Sequence, residues 1–171
     1  MIYINIGSNL NSSKGDRLYN IKKGIELIRT KKFKILKISN IYETPSYPNE
    51  KHPKFLNICV AGESKEKPKL LIKKFQNIEK ILHRTKSFKN QPRTCDIDII
   101  DWYGKIINFK EIILPHPRAH LRNFVLYPLK ELAPNWIHPV LNRKIEFLIK
   151  KLSLKLKNEI TRLNESVIIS K

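Results

Sequence analysis

The chain has 171 residues with 34 Lys and Arg against 15 Asp and Glu, a formal net charge of +19, and 41% of its residues are hydrophobic. That length suits one domain with a full core and excludes two typical ones, and the ordinary apolar content excludes a collagen-like or disordered chain. The cation excess predicts attraction to polyanions, whether nucleic acid, a membrane surface or nucleotide phosphates, but the lysines are spread over every segment, as expected of solvated faces with a minority serving a site.

Ile2, Ile4 and Ile6 alternate with Tyr3 and Asn5, predicting a first strand that ends at Gly7-Ser8-Asn9. That tripeptide is turn chemistry, or a close approach of backbone to a ligand. Nothing before it resembles the basic and apolar regions of a secretion signal, and no apolar run approaches a membrane span, so a cytoplasmic protein is expected. Leu18, Ile21, Ile25 and Ile28 follow helical spacing from about Gly15 to Arg29. A second strand is read over Ile35 to Ile41, ended by Tyr42-Glu43-Thr44-Pro45.

Residues 46–54 form a polar loop, either a surface excursion or a cover over a site. Phe55 to Gly62 returns as a strand with Phe55, Asn57 and Cys59 on one face. That Phe and Asn suit a flat heterocycle, and equally a core aromatic beside a turn. Pro68 opens a helix at its favoured first position, with Leu71, Phe75, Ile78 and Leu82 as its buried stripe and Gln76 and Glu79 to one side.

The segment Pro92-Arg93-Thr94-Cys95-Asp96-Ile97-Asp98 carries the chemistry. Strand periodicity puts Asp96 and Asp98 on the same face, where two carboxylates repel unless a cation lies between them. Hard oxygen ligands suit Mg²⁺, which takes one or two carboxylates and completes its shell with water and phosphate oxygens. Arg93 is a fork-shaped donor suited to phosphate. Taken alone, an Asp-x-Asp on a strand is more often a half-exposed strand that happens to be acidic. The basic residues on either side, in 83–91 and 116–122, favour a metal–polyphosphate site.

Tyr103-Gly104-Lys105 reads as a hairpin turn back into Ile106-Ile107. Arg118 to Leu132 is helical in pieces, interrupted at Pro128, and Arg143 to Leu152 is a last amphipathic helix. The tail beyond Ser153 is a frayed helix or an extra strand. Cys59 and Cys95 are expected as reduced, half-buried thiols, and His52, His83 and His138 as surface residues. The order of elements is the split β-α-β arrangement. It predicts an α+β, ferredoxin-like α-β sandwich, an antiparallel sheet with helices packed on its faces.

With Gly7-Ser8-Asn9-Leu10, Tyr42-Glu43-Thr44-Pro45, Phe55-Leu56-Asn57, the Pro92-to-Asp98 segment and Leu114-Pro115-His116-Pro117-Arg118 in that order, the chain resembles the 6-hydroxymethyl-7,8-dihydropterin pyrophosphokinases of folate biosynthesis. The likeness runs from Ile2 to about Leu152, giving a domain over 1–152 and a Lys-rich tail over 153–171. It implies transfer of pyrophosphate from ATP to the pterin hydroxymethyl group with release of AMP, in a monomer. Asp96 and Asp98 would hold two Mg²⁺ ions on the triphosphate. Arg93, His116 and Arg122 would meet the phosphates, with Arg84 in a catalytic loop and Gln76, Glu79 and Ile99 beside the nucleotide. Phe55 and Phe124 would sandwich the pterin, with Asn57 and the backbone at Thr44 and Pro45 reading its edge. The chain departs from the family in Lys86, Lys89 and Asn90, where many members have Trp and Arg, in Phe55 for Tyr, and in Pro117 for Tyr.

Two other functions compete. The fold and the charge both permit RNA binding, but no Lys/Arg-Gly-aromatic stacking strand is present, so no specific nucleic acid is expected. A different metal-dependent phosphotransferase or nuclease would also use the two acids; the lack of the glycine-rich signature argues against a P-loop enzyme.

Overall fold

The computed structural model describes residues 1–30, 32–83, 91–109, 111–165 and 167. Its central strand is β1 (Ile2–Ser8), which pairs antiparallel with β4 (Phe55–Glu63) on one side and β5 (Asp96–Trp102) on the other. β2 (Lys34–Ile38) and β3 (Tyr42–Thr44) share the far edge of β4, and β10 (Thr161–Arg162) adds to β3. All these pairings are antiparallel, giving an open six-stranded sheet in an α+β fold.

Strand alternation sorts the side chains into two cores. Ile2, Ile4 and Ile6 face α1 (Arg17–Arg29) and α2 (Pro68–Ile81), together with Ile58, Val60, Ile97 and Ile99. α1 starts where Asp16 accepts the Tyr19 N–H at 2.8 Å, and it buries Ile21, Ile25 and Ile28. On the opposite face Tyr3, Cys59 and Ile100 meet α3 (Asn123–Leu132) and α4 (Ile145–Lys151). A register shift between Tyr3 and Ile4 against β5 lets Ile100 and Asp101 both turn to the α3 side, after which Trp102 rejoins the first core.

The structure corrects several sequence expectations. The strand read over Ile35 to Ile41 ends at Ile38, and the Tyr42-Glu43-Thr44 segment read as its end forms a separate strand, β3. The Ser39 N–H still donates to Cys59 C=O, but the Cys59 N–H donates to the Ser39 hydroxyl at 2.9 Å, and Asn40 binds Glu131 of α3. The hairpin at Tyr103-Gly104-Lys105 turns but does not pair back: β6 (Ile107–Phe109) pairs with β7 (Ile112–Leu114) instead. The outer edge of β5 is already taken, with Ile97 N–H donating to Glu79 and Ile100 C=O accepting from the His116 N–H. Pro128 sits inside α3 without interrupting it, and the break falls earlier, between a 3-10 turn at Ala119–Leu121 and Asn123. Both cysteines are fully rather than half buried, and burial pushes the Cys59 thiol pKa up. The tail forms both of its alternatives, a short helix α5 (Leu154–Asn158) followed by β10.

His138 is not a surface residue; it is 4% exposed. It lies in the ribbon of β8 (Ile137–His138) and β9 (Arg143–Lys144), against Trp136 and His120. Trp136 in turn donates its indole N–H to buried Asp101 at 2.8 Å. The His138 Nδ1 accepts the Val140 and Leu141 N–H groups, each at 3.2 Å, so the neutral ring carries its proton on Nε2. Burial, then the neighbouring His120, lowers its pKa below the ordinary value. A histidine depressed in the folded state stabilises the fold above its unfolded pKa of about 6.5, and that contribution is lost as pH falls below it. Urea midpoints should therefore fall between pH 7 and pH 5. In His138→Asn, whose side-chain oxygen accepts without titrating in this range, the fall should be shallower; an equally steep fall would contradict the assignment.

Candidate active site

The site gathers where β1 and the neighbouring ends of β4 and β5 meet the N-terminus of α3. Two rows of the sheet form its floor. In one, Gly7 stands between Asn57 of β4 and Asp96 of β5; in the next, Asn5 stands between Cys59 and Asp98. A side chain at Gly7 would press on the Asn57 amide, which would have to shift. A Cβ there would lie 2.9 Å from Asn57 Oδ1 and 3.6 Å from the Phe55 ring.

Each carboxylate is backed by an arginine that also lies over a phenylalanine. Arg93 Nη1 donates to Asp96 Oδ2 at 2.9 Å, and its guanidinium is 5.9 Å from the Phe55 ring centre. Arg122 Nη1 is 3.6 Å from Asp98 Oδ2, with its guanidinium 5.3 Å from the Phe124 ring centre. These four residues and the two acids are all half-buried, whereas Asn57 and Thr44 are buried. The Asn57 amide donates to Thr44 Oγ1 at 3.3 Å, which fixes its orientation.

His116 enters on the loop after β7, its N–H tied to Ile100 C=O. Its Nδ1 accepts the Arg118 N–H at 3.1 Å, so the neutral ring carries its proton on Nε2, which lies 3.9 Å from Asp98 Oδ2. Burial, and then Arg122 and Arg118, push its pKa down to about 4, so the ring is neutral at pH 7 and its contact with Asp98 is not an ion pair. Burial also lowers the Arg122 pKa, without removing its charge near neutrality.

The remaining expected residues divide. Gln76 is exposed on α2. Glu79, read as lying to one side of that helix, is buried and accepts the Ile97 N–H at 2.8 Å, pinning α2 to the strand that bears both acids. The Ile99 side chain lies in the first core, so only its backbone faces outward. Pro45 follows β3 and is half-buried. Arg84, Lys86, Lys89 and Asn90 lie outside the described residues.

Sequence reasoning missed Asn9. Its side-chain oxygen accepts the Arg93 N–H at 2.7 Å and its amide donates to Pro53 C=O at 3.1 Å, while the Asn9 and Leu10 N–H groups both donate to Arg93 C=O. The turn after β1 therefore holds two loops at once. The signal was the Asn in a Gly-Ser-Asn turn, since Asn readily hydrogen-bonds backbone. A cleft of about 420 Å³ beside Asn9, Arg17, Glu43 and Lys54 contains neither acid, and Arg17 bridges Glu43 and Lys54 C=O across it.

Among the described residues, no group of three or more His, Cys, Asp and Glu side chains could form a metal cage. Two carboxylates at a half-open surface fit instead a cation that fills its shell with water and phosphate oxygens.

The family model for 7,8-dihydro-6-hydroxymethylpterin-pyrophosphokinase (HPPK) matches residues 3–134. The chain belongs to this family. Its relatives include the 2-amino-4-hydroxy-6-hydroxymethyldihydropteridine pyrophosphokinase of Aquifex aeolicus, 34% identical over 90% of this chain and 93% of that protein. The Bacillus subtilis protein of the same name is 36% identical over 77% of each chain. The Pneumocystis carinii folic acid synthesis protein fol1 is 36% identical over 88% of this chain, which spans only 20% of that protein's length. The fold matches an HPPK-DHPS crystal structure in complex with substrates with a TM-score of 0.71 at 15% identity, over 94% of this chain and 47% of that one. HPPK-family proteins are pyrophosphokinases, enzymes of pyrophosphoryl transfer in folate biosynthesis. Among the described residues no helix is long and apolar enough to cross a membrane.

Gly7→Ala should push the Asn57 amide off Thr44 and cost about 1 kcal/mol, read as a lower urea midpoint of the free protein. An unchanged midpoint would show that Asn57 has room to yield.

Proposed function

We propose that this HPPK-family chain transfers pyrophosphate from ATP to 6-hydroxymethyl-7,8-dihydropterin, releasing AMP, with two Mg²⁺ ions on the nucleotide. The observation that carries this reading is the juxtaposition of two acids, each neutralised by an arginine, with two phenylalanines reached by the same arginines. The acids suit a metal-bound triphosphate and the rings suit a flat heterocycle, so both substrates are accommodated side by side.

In this reading Asp96 and Asp98 hold the Mg²⁺ ions, which when bound offset charge on the phosphate oxygens and orient them. Arg93 and Arg122 turn from the carboxylates toward phosphate oxygens, joined by His116 and by Arg84. Neutral His116 acts as a hydrogen-bond donor through Nε2, not as a cation. Gln76, Glu79 and Ile99 lie on the adenosine side, Ile99 through its backbone. The pterin stacks between Phe55 and Phe124 above Gly7, with Asn57 and the Thr44–Pro45 segment at its edge. The hydroxymethyl oxygen then attacks the β-phosphorus, the bond from that phosphorus to the α-phosphate oxygen breaks, and the hydroxyl proton is released. Catalysis is alignment and charge stabilisation, which asks no nucleophile of the protein.

The domain over 1–152 carries all of these residues, and we read the enzyme as a cytoplasmic monomer. The direct test is AMP release from ATP and Mg²⁺ with and without the pterin; AMP should appear only with it, one per pterin consumed. Asp96→Ala and Asp98→Ala should each abolish turnover while leaving the thermal midpoint close to wild type. Wild-type-like rates in either variant would sink the metal assignment. Asn57→Ala should weaken pterin binding by about tenfold and ATP binding by much less, in line with loss of a buried hydrogen bond. Equal losses for both ligands would contradict the pocket drawn here.

A further inference from the structure

Two residues break the local rules of their elements, and each supplies what the other lacks. Pro128 stands inside α3. A proline has no N–H for the carbonyl four residues earlier, so the Phe124 C=O loses its α-helical donor. Asn5 is a polar side chain in the middle of the central strand, 6% exposed. A buried amide is costly unless its groups are paired. With the amide turned so that its nitrogen faces acceptors, Asn5 Nδ2 donates to Phe124 C=O at 3.1 Å and to Ile58 C=O at 3.1 Å.

The consequence falls on the site. Phe124 is in the first turn of α3, directly after Asn123 and two residues beyond Arg122. Asn5 lies beside Asp98 in the register of β1 and β5. One side chain therefore ties β4, β1 and the start of α3 together next to the carboxylate that Arg122 faces. The other fixings of this turn hold different atoms: Asn123 donates to Leu156 C=O at 2.6 Å and accepts the Phe124 N–H at 2.7 Å.

We propose that Asn5 is a positioning residue for the pterin: by holding the Phe124 carbonyl in place of the missing helical donor, it sets the height of the Phe124 ring above the sheet. This rests on the reading of Phe124 as a stacking residue. Asn5 itself touches neither substrate.

The test is a double-mutant cycle with Asn5→Ala and Pro128→Ala, because replacing the proline restores a backbone N–H for Phe124 C=O. The probes are 6-hydroxymethylpterin, followed by its fluorescence in the presence of Mg²⁺ and α,β-methylene-ATP, and the nucleotide analogue alone. Asn5→Ala should weaken pterin binding about three- to tenfold, the range expected for one buried hydrogen bond, and change nucleotide binding less than about twofold. In the Pro128→Ala background the same substitution should weaken pterin binding less than about twofold. An equal loss in both backgrounds, or equal losses for pterin and nucleotide, would overturn the proposal. Should Asn5→Ala not fold, Asn5→Ser enters the same cycle with the same criteria. Phe124→Ala separates the two readings. If it leaves pterin affinity unchanged, the stacking assignment fails, whereas the thermal midpoints of the four free proteins still show whether Asn5 and Pro128 are coupled; additive midpoints would overturn the hydrogen bond itself.

Discussion

The constraint on which the site depends is the repulsion between Asp96 and Asp98, two acids on one face of one strand. In this structure the repulsion is offset by Arg93 and Arg122, which reach them from the loop before β5 and from the start of α3. Both arginines sit over a phenylalanine ring as well, so the positions of the acids, the cations and the aromatic walls are linked. A guanidinium suits this double duty because it is planar, weakly hydrated and able to stack while it donates. A lysine in either place would keep the charge and lose the geometry.

Holding such an arrangement requires loops that do not drift, and the chain supplies hydrogen bonds from residues outside it. Asn9 fastens the backbone of Arg93 and the loop at Pro53 to the end of β1. Glu79 fastens α2 to β5 through the Ile97 N–H, next to Asp96 and Asp98. Asp101, at the other end of β5, receives Trp136 and Gly104 N–H groups and closes the strand. Each is a buried or half-buried polar group whose cost of burial is met by a backbone or indole donor. The sheet thus gives the site its floor, and these contacts fix what stands on it.

The His116 environment shows how burial alters a role that charge alone would suggest. In a chain of net charge +19, a histidine among Arg118 and Arg122 is easily read as one more cation. Desolvation and those two arginines keep it neutral, so it offers a directed N–H without adding to the positive field.

Much of the fold was written in periodicity. The alternation of Ile2, Ile4 and Ile6, the helical spacing of Leu18 to Ile28 and of Leu71 to Leu82, and the Asp-x-Asp strand each follow from burying one face of a regular element. The ordered motifs around Gly7, Thr44, Asn57, Asp96 and His116 were equally legible, and the family match over residues 3–134 agrees with them. The sequence by itself determined which residues face the core, that an α+β sheet results, and that two acids share one face. Only the tertiary structure decided that β5 would refuse a hairpin partner, that Glu79 and His138 would be buried, that Pro128 would remain within its helix, and that Asn9 would hold the site's loops. Those outcomes depend on hydrogen bonds between residues far apart in the chain, and no local pattern of hydrophobicity or turn chemistry encodes which distant donor will reach a given acceptor.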